Sequence, residues 1–143
     1  MNKDLKVELK RTVHASQKKC FDAWLHAETL KGFMIASQGG SCPTAKVDAR
    51  VGGAFLIVMK VGEKEIPHSG EYKAIDPHHR IAFTWLSPHQ KAPESLVTLD
   101  FRKIDEQTTE LTLRHVGFET EGARNGHEGG WTVIMNTFEG FFK

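Results

Sequence analysis

The sequence has 143 residues, of which 39% are hydrophobic and 26% are charged, values typical of one soluble globular domain. Nineteen Lys and Arg residues stand against 18 Asp and Glu, and this balance argues against nucleic-acid binding, which usually requires a strong basic excess. The longest apolar run, residues 54–59, is too short to cross a bilayer, and the first six residues lack the apolar core of a signal peptide. We therefore expect a cytoplasmic protein without membrane insertion.

The N-terminal part of the chain is predicted to form a strand followed by two short helices. Apolar and polar residues alternate over residues 5–13, which is the pattern of a strand with one buried face. Ser16 stands at an N-cap position, and the apolar residues of segment 17–27 share one helical face. A second short helix is predicted over 28–33, and the Gly- and Ser-containing segment 37–43 is predicted to be a loop.

The middle of the chain, from residue 46 to residue 116, has the pattern of strands joined by short turns. Strands are predicted over 54–61, 66–75, 80–86, 95–101 and 109–115. The first of them is apolar on both faces, so we expect it to be buried on both sides. Gly62-Glu63 predicts a tight turn, and Pro77 prevents regular continuation of the second of these strands. Short connections of this kind indicate an antiparallel meander.

The C-terminal segment changes to the helical period. Its large apolar residues recur three or four positions apart, which predicts an amphipathic helix of about 16 residues. These residues are Trp131, Ile134, Met135, Phe138, Phe141 and Phe142. The predicted fold class is therefore α+β, one domain over residues 1–143. A sheet of six or seven strands is wider than a single helix, so we expect it to curl around this one.

A curled sheet around one helix tends to leave an apolar hollow between the two. The aromatic composition is compatible with such a hollow, because nine Phe and three Trp accompany a single Tyr, and Phe brings no hydroxyl group that needs a buried partner. The residues predicted to line it are Trp24, Phe55, Ile57, Tyr72, Phe83, Trp85, Val97, Leu99, Leu113, His115, His127, Trp131, Met135 and Phe138. The alternative is that these residues simply fill a solid core, as aromatic residues usually do.

Four polar residues are the candidates for giving such an interior its specificity. His68, Tyr72 and His115 lie on predicted strands, where each can supply a hydrogen bond or a general acid–base group. His127 belongs to the segment 126–131, which we expect to open the C-terminal helix at the cavity mouth, with Glu128 complementing the helix dipole. Isolated histidines are more often structural, so no catalytic residue is assigned, and a pure packing role is the favoured interpretation of the helix-opening segment.

The sequence contains no motif for a metal or a cofactor. His78 and His79 are adjacent and would point to opposite faces of a strand, while Cys20 and Cys42 lack the spacing of metal ligands. Two cysteines are also too few for a disulfide framework. No phosphate-binding glycine fingerprint and no nucleophile elbow is present. We therefore predict no metal and no cofactor.

Several blocks of residues occur together in an order typical of one known family. The blocks are 7–33 with the run Phe21-Asp22-Ala23-Trp24, then 48–53, 70–72, 75–85, 117–118 and 126–131. With these blocks, which cover nearly the whole chain, the sequence resembles the Hsp90 ATPase activator homologue-like family. The resemblance implies the helix-grip fold of the START and birch-pollen-allergen-like superfamily. It also implies that a hydrophobic small molecule or lipid binds between the sheet and the C-terminal helix.

Three functional hypotheses remain open from the sequence. The first is binding of a small apolar or amphipathic molecule, lipid-like or aromatic polyketide-like, without catalysis, by a monomer or weak homodimer. The second is a cyclase or dehydratase acting on a polyketide-like substrate, as implied by superfamily relatives whose buried polar residues are catalytic. The third, implied by the family name, is a stress-related co-chaperone with an Hsp90-type chaperone as its partner.

Overall fold

A computed structural model describes residues 5–88 and 95–142, so the prediction made for the first six residues falls largely outside it. The strands are β1 (Lys6–Val13), β2 (Ser41–Val47), β3 (Ala54–Val61), β4 (Lys64–Asp76), β5 (Arg80–Thr84), β6 (Leu96–Asp105) and β7 (Thr108–Val116). The helices are α1 (Gln17–Ala23), α2 (Ala27–Phe33) and α3 (Glu121–Phe141). The strands form one antiparallel sheet in the order β1-β7-β6-β5-β4-β3-β2, which confirms the meander and the helix-grip architecture.

The strand order explains why the two short helices lie where they do. Strands β1 and β2 follow each other in sequence but form opposite edges of the sheet. The chain between them must cross from one edge to the other, and α1 and α2 occupy that crossing. Phe33 of α2 packs against Phe138 of α3, with 4.7 Å between ring centroids. The three helices therefore share the concave side of the curled sheet, while its convex side carries exposed ion pairs such as Arg102–Glu110.

The sheet buries alternate residues, as the period-two pattern predicts. The buried residues of β6 and β7 are at most 2% exposed, and Val97, Leu99 and Leu113 have no exposed surface. Burial of each such side chain contributes roughly 1.5–3 kcal/mol to folding. Strand β3 follows the same alternation, so the prediction that it is buried on both sides is wrong. Phe55 and Ile57 are buried, but Leu56 and Val58, which alternate with them, are partly exposed because no second layer covers the convex face.

Two predictions about the N-terminal third also need correction. Helix α1 ends at Ala23 rather than at residue 27, because the Thr29 hydroxyl donates to the Ala23 carbonyl and a new helix starts at Ala27. The predicted loop over 37–43 is partly strand, since β2 begins at Ser41. Pro43 is compatible with this strand because β2 lies at the edge of the sheet and its pairing with β3 is irregular between Ser41 and Thr44. Proline has no N–H group to donate, and it is tolerated at edges and irregularities because a regular sheet hydrogen bond is not required there.

Helix α3 is longer than predicted and begins earlier. It has 21 residues and starts at Glu121, where the Thr120 hydroxyl accepts a hydrogen bond from the Ala123 N–H at 3.0 Å. The segment 126–131 therefore lies inside the helix and does not open it. Glu128 accepts hydrogen bonds from Arg124 one turn earlier, the shorter at 2.8 Å, so its expected role at the helix N-terminus is also wrong. None of the helices in the described ranges is both long and apolar enough to span a membrane.

Candidate functional site: a half-open cavity beside α3

A cavity of about 610 Å³ lies between the first half of α3, strands β3 and β4, and the segments that follow β5 and α2. Its sheet side is formed by apolar residues such as Met59 and Ile66, and its α3 side by Ala123 and Ile134. The polar residues that line it are Ser37, Ser87, Thr120, His68 and His127. Among the described residues, no Lys, Arg, Asp or Glu lines this cavity.

Aromatic rings form the innermost wall of the cavity. The Trp85 ring lies 4.8 Å from the Trp131 ring and 5.0 Å from the His68 ring, the latter at an interplanar angle of 32°. Trp85 and Trp131 are each 2% exposed. The two indole groups differ in their hydrogen bonding, because Trp131 has an acceptor, whereas the Trp85 N–H has none within residues 5–88 and 95–142.

His115 holds Trp131 in place from behind the wall. The Trp131 indole N–H donates to His115 Nδ1 at 3.0 Å, so this nitrogen carries no proton and the ring proton is on Nε2. His115 Nε2 lies 2.5 Å from Ser95 Oγ and donates to it. His115 is completely buried, and this burial, with a smaller contribution from the neighbouring His127, lowers the pKa of His115 to about 3. The imidazole is therefore neutral at physiological pH, with both nitrogens engaged.

His127 lies on the α3 side of the cavity. Its Nδ1 is 2.8 Å from the Ala123 carbonyl oxygen one turn earlier, an arrangement in which Nδ1–H donates to that oxygen. The ring also lies 5.2 Å from the His115 ring and 5.2 Å from Phe118. These contacts fix the orientation of His127, which is one of the residues that line the cavity.

The predicted site residues separate into three groups. Trp85, His127 and Trp131 line the cavity, and His115 lies directly behind Trp131. A second group borders a space of only about 10 Å³ in the core, which is no larger than one water molecule. This group consists of Trp24, Phe55, Ile57, Tyr72 and Phe83. The remaining predicted residues, Val97, Leu99, Leu113, Met135 and Phe138, are fully buried in the core.

Tyr72 illustrates how the second group differs from the cavity wall. Burial raises the pKa of its hydroxyl group, with a smaller contribution from the negative charge of Asp48. The phenol therefore stays protonated at any physiological pH. Tyr72 is 3% exposed and packs 5.5 Å from the Phe55 ring, within a part of the interior that has no room for a ligand.

The sequence reasoning missed the glycines that line the cavity. Gly122, Gly126 and Gly130 fall at i, i+4 and i+8 of α3 and face the cavity on one side of the helix. The four-residue spacing is present in the sequence and could have identified them. It is hidden by the interpretation of segment 126–131 as the start of the helix rather than as part of one of its faces.

Comparison with known proteins agrees with this architecture. The family model described as "Activator of Hsp90 ATPase homolog 1-like protein" matches residues 14–143. A protein from Chromobacterium violaceum is similar in structure, with a TM-score of 0.83, 19% identity and 96% of each chain covered. An HSP90 activator from Plasmodium falciparum has a TM-score of 0.75 and 23% identity, and the match covers 95% of this chain and 94% of that one.

An AHSA1-like protein from Aeromonas hydrophila is similar as well, with a TM-score of 0.79 and 18% identity over 95% of this chain and 90% of its own. No curated protein matches the sequence significantly. The structural relatives are less than 25% identical, so they establish the fold and leave the activity to be argued from the cavity. The match of the family model over residues 14–143 shows that the chain belongs to the Activator of Hsp90 ATPase homolog 1-like family.

Proposed function

We propose that the protein binds a small apolar or amphipathic molecule in the cavity beside α3. The observation that carries this proposal is the cavity itself, about 610 Å³ of space walled by Trp85, Trp131 and aliphatic side chains. Sites for small organic ligands fall between about 300 and 1,000 Å³ and combine an apolar lining with a few fixed polar groups. His68 and His127 are the polar groups of this kind, and the cavity is open enough on one side to admit a ligand.

We propose binding rather than catalysis because of the position of His115. This residue is the best-buried candidate for a general base, and a base needs a lone pair that can reach the substrate. The His115 Nδ1 lone pair accepts from Trp131, and its Nε2 proton is donated to Ser95. The ring also lies behind Trp131 rather than on the cavity wall. These contacts favour a structural role for His115.

The three tryptophans allow a direct test of ligand binding. Each indole N–H gives its own resonance in a proton–nitrogen correlation spectrum, and single Trp→Phe variants assign them. Trp85 and Trp131 line the cavity, whereas Trp24 lies in the packed core and is the internal control. We expect naringenin, as an aromatic polyketide-like probe, or dodecanol, as a lipid-like one, to shift the first two resonances and leave Trp24 unchanged.

The absence of these selective shifts would refute the proposal. If neither probe moves the Trp85 and Trp131 resonances at concentrations up to about 1 mM, the affinity is weaker than about −4 kcal/mol and the cavity is not a binding site for these classes. If the Trp24 resonance moves as much as the other two, the probe acts on the fold as a whole, and binding in this cavity is again excluded.

A co-chaperone role is the second candidate, and the family description favours it. The related Plasmodium falciparum protein is an HSP90 activator, although at 23% identity that relation establishes only the fold. Under this hypothesis the purified protein raises the ATP turnover of an Hsp90-type chaperone and is retained with it in a pull-down. Unchanged turnover at about 10 μM protein, together with no retention, would exclude contacts with a Kd in the micromolar range.

A further inference from the structure

We propose that the first half of α3, residues 121–130, is a ligand-responsive segment, which opens on its own in the unliganded protein and becomes ordered when the cavity is filled. The second half of the helix, residues 131–141, stays fixed in both states. This role rests on the proposed ligand-binding function, because the ligand is what completes the packing of the segment. Burial, the cavity beneath the segment and helix propensity each support it.

The two halves of α3 differ in how deeply they are buried. The buried residues of the helix all lie in its second half, and they are Trp131, Ile134, Met135 and Phe138. Within residues 121–130, every residue is exposed or only partly buried. Burial of large apolar side chains is the main source of helix stability in proteins. The second half therefore has this stabilisation, and the first half lacks it.

The cavity explains why the first half of the helix is not buried. Ala123, Gly126 and Gly130 line it together with Thr120, the N-cap residue of α3. About 610 Å³ of open space lies where the inward face of a helix would otherwise meet packed side chains. A void offers no partner atoms to the groups that border it, so these groups lose the contacts that hold a packed helix in place. A ligand in this space supplies the missing contacts.

The composition of the first half also disfavours a helix. Four of its ten residues are glycine, whereas the second half contains one, Gly140. Glycine is the least favourable residue in a helix interior after proline, because it gives up the most backbone freedom. Gly129 and Gly130 are adjacent and directly precede Trp131. A pair of small residues of this kind is a common bending point of helices, and here it coincides with the boundary between the two halves.

Arg124 ties the ligand-responsive segment to the sheet. Its Nε donates to the Lys6 carbonyl oxygen of β1 at 2.9 Å, and its Nη1 and Nη2 donate to Glu128 one turn later. The Arg124 side chain is 27% exposed, so water competes for these hydrogen bonds, and such bonds open more readily than those of a packed core. The second half has a similar tie, from Arg11 to Asn136, but there it adds to buried side chains.

Amide hydrogen exchange followed by NMR tests the segment first without a ligand. We expect the amides of residues 125–128 to exchange at least about ten-fold faster than those of residues 134–138, because local opening costs less free energy than unfolding of the core. A ratio below about ten-fold would show that α3 opens as one unit, and it would overturn the proposal.

Naringenin then tests the response to a ligand. A ligand that binds only when the segment is closed slows exchange through local opening by a factor of one plus the ratio of its free concentration to its Kd. At a free concentration of about ten times Kd, we therefore expect the amides of residues 125–128 to exchange about ten-fold more slowly. Slowing by less than about three-fold, while the Trp85 and Trp131 resonances show that the site is occupied, would overturn the coupling.

Two alanine variants provide a matched comparison. Gly129→Ala and Gly140→Ala make the same change at exposed positions of α3, where a Cβ atom would meet no atom within 4 Å, and neither position lines the cavity. Alanine favours the helix by an amount that corresponds to about a five-fold change in an opening equilibrium. We expect Gly129→Ala to slow exchange of residues 125–128 about five-fold and Gly140→Ala to change it less than about two-fold. Equal effects of the two variants would contradict a separately opening first half.

The outcomes separate this role from the proposed function. If naringenin or dodecanol shifts the Trp85 and Trp131 resonances but the exchange of residues 125–128 is neither fast nor ligand-dependent, the segment is a fixed wall and ligand binding stands. If the exchange is fast but neither probe binds, the proposed function falls, and the ligand-responsive role falls with it.

Discussion

The burial of His115 makes a quantitative prediction about how stability depends on pH. The imidazole has no exposed surface, and its pKa falls from 6.5 to about 3 on folding, chiefly through burial. Below about pH 6.5 the unfolded chain binds a proton at this residue that the folded protein does not bind. The free energy of unfolding must therefore fall as the pH is lowered through this range. The contribution of the neutral imidazole is fully present above the unfolded pKa and disappears towards the folded one.

The size of the effect follows from the gap between the two pKa values. Each unit of difference is worth about 1.4 kcal/mol, so the whole gap of about 3.5 units corresponds to roughly 5 kcal/mol. Only the share of this loss that occurs above about pH 5 can be assigned to His115, because Asp and Glu side chains begin to titrate below that pH. Between about pH 7.5 and about pH 5, linkage predicts a loss of about 2 kcal/mol from this one group.

Urea denaturation followed by far-ultraviolet circular dichroism measures this loss when it is repeated at several pH values. The matched control is His115→Gln, which does not titrate and whose amide can still accept from Trp131. The other seven histidines are the same in both proteins, so their contributions cancel. We expect the stability of the unmodified protein to fall about 2 kcal/mol further than that of the variant. Parallel curves, differing by less than about 0.5 kcal/mol, would refute the buried neutral imidazole.

A histidine titration by NMR is the alternative if His115→Gln does not fold. The His115 ring resonances of the unmodified protein should not move between about pH 7.5 and about pH 4.5, because its folded pKa lies near 3. A midpoint between pH 6 and 7 for this residue would show that it is solvated, contrary to the hydrogen bonds to Trp131 and Ser95.

Three further predictions concern stability. Trp131→Phe should cost about 1–3 kcal/mol more than Trp85→Phe in urea denaturation, because the two side chains are equally buried and only Trp131 leaves an acceptor unpaired; equal losses would contradict the His115 contact. Gly126→Ala should raise the free energy of unfolding by up to about 1 kcal/mol, and a clear loss would show that a Cβ is not tolerated there. Ser16→Ala should lower it by about 1 kcal/mol, because the hydroxyl accepts from the Lys19 N–H, and no change would remove this cap.

The sheet could be predicted from the sequence because its signal is local. Alternation along 5–13 and along the strands of residues 80–116 reflects one buried and one exposed face, and the structure reproduces it. The Ser16 N-cap was equally readable, since its hydroxyl accepts from a backbone N–H three residues later. Strand β2 was missed because Pro43 and the nearby glycines have the composition of a loop, and only pairing with β3 makes this segment a strand.

The position of the cavity could not be read from the same patterns. Fourteen residues were predicted to line a hollow, and the sequence alone could not distinguish those that pack tightly from those that border open space. The difference is a matter of interlocking in three dimensions. Around Trp24 and Phe83 the side chains leave only about 10 Å³, while about 610 Å³ remains beside Trp85 and Trp131. Periodicity shows which face of a strand or helix points inward. Because the residues of both the packed core and the cavity wall lie on inward faces, periodicity cannot distinguish them.

The feature that separates the two regions is a lack of side chains. Where α3 carries Met135 and Phe138, the interior is filled, and neither of these residues has any exposed surface. One to three turns earlier the same helix presents Gly126 and Gly130, and the interior opens. The same helix thus closes the core at its C-terminal half and forms the cavity at its N-terminal half. Glycines that repeat every four residues inside an amphipathic helix, such as Gly126, where a Cβ atom would meet no neighbour, are therefore the sequence feature that marks the cavity.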